Sequence, residues 1–380
     1  MARLGDICKF QSGGTPSKSE PAYFNGNIPW ITTAALNGST IDDNDAVDWI
    51  TEKAITESAA KIVPAHSIMV GTRVGVGKVA INAVPMSTSQ DIISLIGIDG
   101  NKWNKSYLCK FITGQNESLN AQARGATIKG IKIEVLAGLD VPDISLSEQY
   151  HISAVLDKVS NLIALRKQQL AKLDELVKSR FIDLFIGKGY PTKSVDEVSL
   201  VRGEYGAQSA STEYDPDRPR YVRITDIKDD GTLNDDRVSS INLADDEQYR
   251  LVYGDFLFAR MGATVGKTYA FIEGNQIFAG YLIRYRLNQK LINPRYLFWY
   301  TKLDEYWNWV RLNQSGAAQP GINAKKYGSL RIPVPPIEEQ NQFAAFVEQT
   351  DKSKLTIQQG LDKLEILKKS LMQRYFGGKR

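Results

Sequence analysis

Residues 145–187 read SLSEQYHISAVLDKVSNLIALRKQQLAKLDELVKSRFIDLFIG, and residues 336–378 read PIEEQNQFAAFVEQTDKSKLTIQQGLDKLEILKKSLMQRYFGG. A shift of 191 residues lays the first stretch on the second without a gap, and the match extends back to Ala123 and Gln314. More than a quarter of the aligned positions are identical, among them Gly125/Gly316, Pro142/Pro333, Glu148/Glu339, Gln149/Gln340, Leu170/Leu361, Lys172/Lys363, Leu176/Leu367 and Phe185/Phe376. Average residue usage would give about four chance identities over this length. Upstream the likeness survives in islands: Trp30-Ile31-Thr32 over Tyr221-Val222-Arg223, Arg73-Val74-Gly75 over Arg260-Met261-Gly262, and Asn104 to Leu108 over Asn293 to Leu297. The chain is therefore one unit written twice, with a variable first part and a similar second part.

The similar part has the pattern of a long helix. Ser145 and Glu148 form a capping-box pair, no Pro or Gly interrupts the run to Ile186, and Gly187 and Gly189 stop it. Ile152, Leu156, Val159, Ile163, Leu170, Leu173 and Val177 follow 3-4 spacing, with Leu184 beyond them; Phe343, Val347, Ile357, Leu361, Leu364 and Leu371 repeat it in the second copy, with Tyr375 beyond. Such a stripe predicts partner-helix packing in a coiled coil. At 1.5 Å per residue each helix spans roughly 60 Å, and chain order then requires the two to run antiparallel, bringing the chain ends close together. The expected division is a head over 1–143, a helix over 144–187, a second head over 188–334 and a second helix over 335–380. The heads carry short β-branched runs bounded by Gly, Pro or Asn, such as Asn27 to Thr32, Ser67 to Val70 and Ile92 to Ile96, with counterparts at Arg220 to Ile224, Phe256 to Ala259 and Tyr281 to Tyr285. A helix follows in each, around 105–113 and 294–304. The fold class is α+β: two mainly-β domains with short helices, joined by two long antiparallel helices with pseudo-twofold symmetry.

Composition narrows the function. The 380 residues hold 47 Lys+Arg against 43 Asp+Glu, a net charge of +4, which permits a polyanionic partner without demanding one. Two cysteines and two histidines have no zinc-site spacing, so no metal is expected. No apolar run reaches the ~18 residues of a membrane span. The start MARLGDICKF lacks a secretory apolar core. A cytoplasmic protein away from membranes is expected.

Three enzyme-like motifs fail on their own chemistry. Gly262 to Thr268 resembles a phosphate-binding loop but has three residues, not four, between its glycines, and Lys78 in the other head is followed by Val79 where that loop needs a hydroxyl. Phe185-Ile186-Gly187-Lys188-Gly189 resembles a cofactor-binding F-x-G-x-G turn, yet it ends a helix instead of following a strand. Asn293-Pro294-Arg295-Tyr296 approaches the Asn-Pro-Pro-Tyr of amino-methyltransferases, but Asn as cap and Pro at the first helical position explain it. No catalytic residue is assigned.

What remains is a set of polar, Gly-rich loops at matching places. In the first head they supply Ser12, Thr15, Lys18, Thr32, Arg73, Lys78, Arg124 and Lys129; in the second, Arg202, Gln208, Arg223, Arg260, Lys267, Gln314 and Gln319. Arg and Gln can read guanine and adenine edges, Lys supplies sequence-independent charge, and glycine admits close backbone approach to phosphates. These residues are the candidate contacts to double-stranded DNA. Replacing Arg73 or Arg260 by Ala is expected to weaken binding by about 1–3 kcal/mol. A two-headed protein adaptor without DNA binding is the alternative.

Taken in order, Leu4-Gly5-Asp6-Ile7, Gly13-Gly14-Thr15-Pro16, Ile28-Pro29-Trp30-Ile31, Gly71-Thr72-Arg73 with Gly77-Lys78, Gly125-Ala126-Thr127 and the Glu148-Gln149 helix start resemble the specificity subunits of type I restriction–modification systems. The second copy adds Gly316-Ala317-Ala318, Ile332-Pro333-Val334-Pro335-Pro336 and Lys369-Ser370-Leu371-Met372. The resemblance implies two target-recognition domains on helical regions and no catalytic site. It also implies docking of two methyltransferase subunits that bring S-adenosylmethionine, and of restriction subunits that bring ATP and Mg²⁺, with no cofactor bound by this chain. The second head departs from the pattern where Pro16 has no counterpart.

Overall fold

The structure, a computed structural model, describes residues 1–125, 130–243, 246–316 and 320–377. The chain divides into two compact units. One comprises Met1–Arg166 with Gly360–Arg380, and the other Lys167–Gln359. Two 40-residue helices, Leu146–Phe185 and Ile337–Phe376, each contribute one part to one unit and one part to the other. The first opens on the expected capping box: Ser145 Oγ accepts from the Glu148 amide at 3.3 Å, and Glu148 Oε2 accepts from the Ser145 amide at 3.2 Å. Its stop lies at Gly187 and Gly189, whose φ values of +73° and +71° favour glycine.

In the first unit a five-stranded sheet runs in the order Lys9–Ser12, Ile92–Ile96, Ile68–Gly71, Val79–Asn82, Thr40–Ile41. Beside it a four-stranded sheet orders Asp48–Ile50, Phe24–Ile31, Met86–Thr88 and Ile62–Val63. Helix Lys105–Gly114 starts on Asn104, whose side chain accepts from the Tyr107 amide, and buries Tyr107, Leu108, Phe111 and Ile112. The main core gathers Leu4, Leu95, Tyr107, Ile152, Leu156 and Phe376, so the end of the second long helix shares a core with the chain's first helix turn. Phe376 lies 5.3 Å from the Tyr107 ring.

The second unit repeats the plan with a four-stranded sheet, Ser199–Tyr205, Leu282–Leu287, Asp255–Ala259 and Thr268–Ala270. Val177, Phe181 and Phe185 of the first long helix enter its core with Tyr296, Phe343 and Val347. Phe185 lies 4.9 Å from the Tyr296 ring, in the same relation as Phe376 to Tyr107. Asp174 pairs with Lys354 farther along the same helices. The helix expected over 294–304 ends at Tyr300, and a second begins at Asp304. The Thr301 hydroxyl turns inward to the buried hydroxyl of Thr268 at 2.7 Å, which fixes the break.

Of the expected packing positions, Ile152, Leu156, Val159, Val177, Phe343, Val347 and Leu361 are buried, and Ile163, Leu170, Leu173, Ile357, Leu364 and Leu371 are half-buried. The stripe omits Phe181, Phe185 and Phe376, which are buried where the long helices enter the head cores; Phe181 and Phe185 also pack on Phe343 of the other long helix.

Each head is locked to the helix that follows it by the same bonds. Gln149 is fully buried; its Oε1 accepts from the Asn104 amide at 2.8 Å and its Nε2 donates to the Lys102 and Ile144 carbonyls at 3.0 Å each. Gln340, also fully buried, accepts from the Asn293 amide at 2.9 Å and donates to Leu291 and Pro335 at 3.0 and 2.8 Å. Tyr107 donates to the Pro142 carbonyl at 3.1 Å, and Tyr296 to that of Pro333 at 2.9 Å. A buried amide without a partner costs about 1–3 kcal/mol, which accounts for Gln at both positions. The repeat also reaches the chain start: Ala2 pairs with Val141 and Lys193 with Ile332, both at the 191 shift.

Candidate nucleic-acid interface

The polar loops of the two units stand on one backbone frame. Gly13 donates to the Ile92 carbonyl and Gly14 to that of Thr88; in the second unit Gly206 donates to Leu282 and Ala207 to Phe278. A Cβ on Gly13 would lie 2.2 Å from the Ser89 carbonyl oxygen, and one on Gly206 2.3 Å from that of Phe278, so only glycine fits either place. The next loop is anchored by an aromatic donor. Trp30 Nε1 donates to the Gly14 carbonyl at 3.1 Å, and the Tyr221 hydroxyl donates to that of Ala207 at 2.7 Å. Burial holds the Tyr221 phenol above its ordinary pKa, so it stays a donor. Thr15 and Gln208 therefore occupy equivalent places, as do Thr32 and Arg223.

The same accounting corrects one alignment. Gly71 donates to Lys78 and Gly77 to Gly71, while Ala259 donates to Lys267 and Gly266 to Ala259. Ile131 donates to the Thr72 carbonyl and Ile322 to that of Arg260. Arg260 thus corresponds to Thr72, and Arg73 to Met261. The Arg73-over-Arg260 match expected from the sequence is therefore one residue out of register.

In the second unit three candidates converge. Gln208, Arg223 and Arg260 line one cleft of about 700 Å³ with Tyr221, Thr225 and Tyr281. Arg223 is held by Asp226, with Nη2–Oδ1 at 3.0 Å and Nε–Oδ2 at 3.2 Å, so its charge is matched in place. The half-buried Arg260 lies over the Tyr205 ring at 4.7 Å, and its Nη2 reaches Met261 Sδ at 3.4 Å. Arg202 is exposed on strand Ser199–Tyr205 outside the cleft lining. Lys267 pairs with Asp229 at 2.8 Å, and that hydrogen bond holds the Asp229 carboxyl below its usual range.

In the first unit Ser12, Thr15, Lys18, Lys78 and Arg124 are exposed and Thr32 is half-buried. The Thr15 hydroxyl donates to Gln90 Oε1, spanning the place where the second unit has Gln208 and Gly280. Arg73 is exposed and lies 3.8 Å from Asp91. A hairpin closes the last loop in each unit: Arg124 and Gly130 exchange backbone bonds, as do Ser315 and Gly321, with Gln314 exposed just before. Lys129 and Gln319 lie outside the described residues.

The enzyme-like motifs have structural explanations. Gly262–Thr264 is a 3-10 turn, and the amides of Gly262, Val265, Gly266 and Lys267 are bonded within the unit. Phe185 is buried in the core. Asn293 caps its helix through the Arg295 amide at 2.9 Å. Among the described residues no group of three or more His, Cys, Asp or Glu could hold a metal ion, and no helix is long and apolar enough to cross a membrane. Cys8 and Cys109 are free, and burial pushes both thiols up to about 12, leaving them protonated at neutral pH.

A family profile described as the type I restriction modification DNA specificity domain matches residues 1–175 and 189–366. The chain is 28% identical over 245 residues to the type I restriction enzyme MjaIX specificity subunit of Methanocaldococcus jannaschii, covering 59% of this chain and 57% of that protein. It is 30% identical over 189 residues to the EcoR124I/EcoR124II specificity subunit of Escherichia coli, covering 47% and 45%. The matches thus span about half the length of these two relatives. The fold is shared with the S subunit of a type I restriction–modification system from M. genitalium, at a TM-score of 0.60 and 15% identity over 100% of this chain and 96% of that one. It is also shared with a chain from work on complex assembly and conformational transition of the type I R-M system, at 0.63 and 15% over 99% and 96%.

Proposed function

Because the chain belongs to the type I restriction modification DNA specificity family, we propose that it is the address-reading subunit of such a complex and performs no chemistry itself. Each head reads one short half of a bipartite DNA site in the major groove. The two long helices pair as an antiparallel coiled coil that sets the gap between the halves. The observation that carries this reading is a frame repeated bond for bond, with Gln149/Gln340, Tyr107/Tyr296 and Trp30/Tyr221 in matching roles, around loops whose side chains differ. A conserved frame with divergent loop tips suits two readers of unlike sequences, so the site is asymmetric.

The helices also dock partners. Leu176 and Leu367 are identical across the repeat, yet 50% and 45% exposed. Lys172 and Lys363, one turn earlier, are exposed as well. Identity at solvent-facing positions suits one kind of partner bound twice, which matches two methyltransferase subunits. S-adenosylmethionine, ATP and Mg²⁺ then belong to the methyltransferase and restriction subunits, and the complex works in the cytoplasm.

Co-expression with a partner methyltransferase subunit, followed by genome-wide mapping of methylated adenines, tests the proposal. Two unlike half-sites at a fixed separation are expected. A complex that forms but gives no such motif, or a purified chain whose DNA retention does not fall with salt, contradicts it.

A further inference from the structure

Resting on the DNA-reading role above, we infer that Arg260 is a guanine-reading residue of the second head, with no counterpart in the first. Three observations meet at this side chain. First, the backbone frame sets Arg260 where the first unit has Thr72, which is 3% exposed and whose hydroxyl donates to the Asp91 carbonyl at 3.1 Å. The first head therefore spends this position on its own backbone, and the second points a guanidinium into a cleft.

Second, Arg260 is held but its charge is not matched. Its guanidinium lies on the Tyr205 ring at 4.7 Å, and among the described residues no carboxylate is recorded within ion-pair distance of it. By contrast Arg223 on the same cleft is occupied by Asp226, and Arg284 nearby in the sheet by Glu204. Seating over an aromatic face restrains the guanidinium, and its only hydrogen-bond acceptor among the described residues is the weak Met261 sulfur on Nη2, so its N–H groups remain to donate, as bidentate recognition of guanine O6 and N7 requires. A phosphate contact needs charge without a fixed plane.

Third, the surroundings admit a base edge. The same cleft is lined by Gln208 and Tyr281, and Gly280 leaves open the place that Gln90 and its bond to Thr15 span in the first unit. A Cβ on Gly280 would meet Gln208 Cγ at 3.0 Å, so glycine leaves the room that the Gln208 side chain occupies.

The test is methylation mapping of the co-expressed complex carrying R260A or R260K. Lysine keeps the charge and much of the stem but loses the planar fork. Both variants are expected to lose discrimination about 5- to 150-fold at one G·C pair in one half-site, with the other half-site and the gap unchanged. This is the fold-change that about 1–3 kcal/mol of bidentate discrimination corresponds to. Methylation lowered evenly across all sites with an unchanged motif assigns Arg260 to phosphate or to packing and overturns the inference. If R260A does not fold, R260K alone decides it, since an unchanged motif in that variant is equally fatal. A wild-type complex without any bipartite motif would instead defeat the reading on which the inference rests.

Discussion

Replacing Gln149 or Gln340 by Leu removes one acceptor and two donor contacts from a fully buried site. Leucine is close in size, so cavity formation contributes little and polar satisfaction decides the outcome. Each lost bond is worth about 0.5–1.5 kcal/mol net, and the stranded Asn104 or Asn293 amide carries the heavier penalty, so each variant is expected to lose about 2–4 kcal/mol. Because the two sites share the same three contacts, the two losses should agree within about 1 kcal/mol. Hydrogen-exchange mass spectrometry in graded urea reads them separately, through peptides around 100–112 for the first unit and 289–300 for the second. Q149L should open the first set of amides and leave the second near wild type, with the reverse for Q340L. A loss below about 0.5 kcal/mol in either variant, in the range of ordinary surface substitutions, would refute the claim that this glutamine locks head to helix.

Burial pulls Lys302 down to about 8, against the opposing charges of Asp230 and Asp229. Between pH 8 and 10 the unfolded chain then holds a proton that the folded chain lacks, so this residue's contribution to stability rises with pH across that window. Urea midpoints of wild type and K302M should therefore shift in favour of wild type from pH 7.5 to 10, and a pH-independent difference would contradict the assignment. The two thiols, raised to about 12 by burial, should resist a thiol-reactive dye at pH 8 in the folded protein and react fully in guanidinium. Rapid labelling of the native chain would contradict their burial.

The sequence made the strands legible where β-branched runs end on turn formers: Ile92–Ile96 and Asp255–Ala259 lie within a residue of expectation. The first long helix was legible because capping box, apolar spacing and glycine stop agree over 40 residues, and the second through its gapless match to the first. The equivalence of Arg260 with Thr72 was not legible, because it is carried by backbone hydrogen bonds, and a neighbouring arginine in each copy offered a false match across an insertion. The stripe passed over Phe181 and Phe185, although they continue its spacing from Val177: each meets both the head aromatic Tyr296 and Phe343 of the other long helix, while Phe376 meets Tyr107 and Phe111. The convergence of Gln208, Arg223 and Arg260 on one cleft joins three segments separated in the chain, so no local pattern announces it. Lys267 had the residue type of a phosphate contact, but its loop uses that charge to hold Asp229.

Two unlike readers set apart by a helical spacer are tested most directly by changing helix length. Inserting seven residues into each long helix, in matching places that preserve the apolar stripe, adds about 10 Å to the spacer, or up to about 3 base pairs of DNA at ~3.4 Å each. Methylation mapping of the co-expressed complex should then return the same two half-sites with a longer gap. Altered half-sites across an unchanged gap would contradict the account.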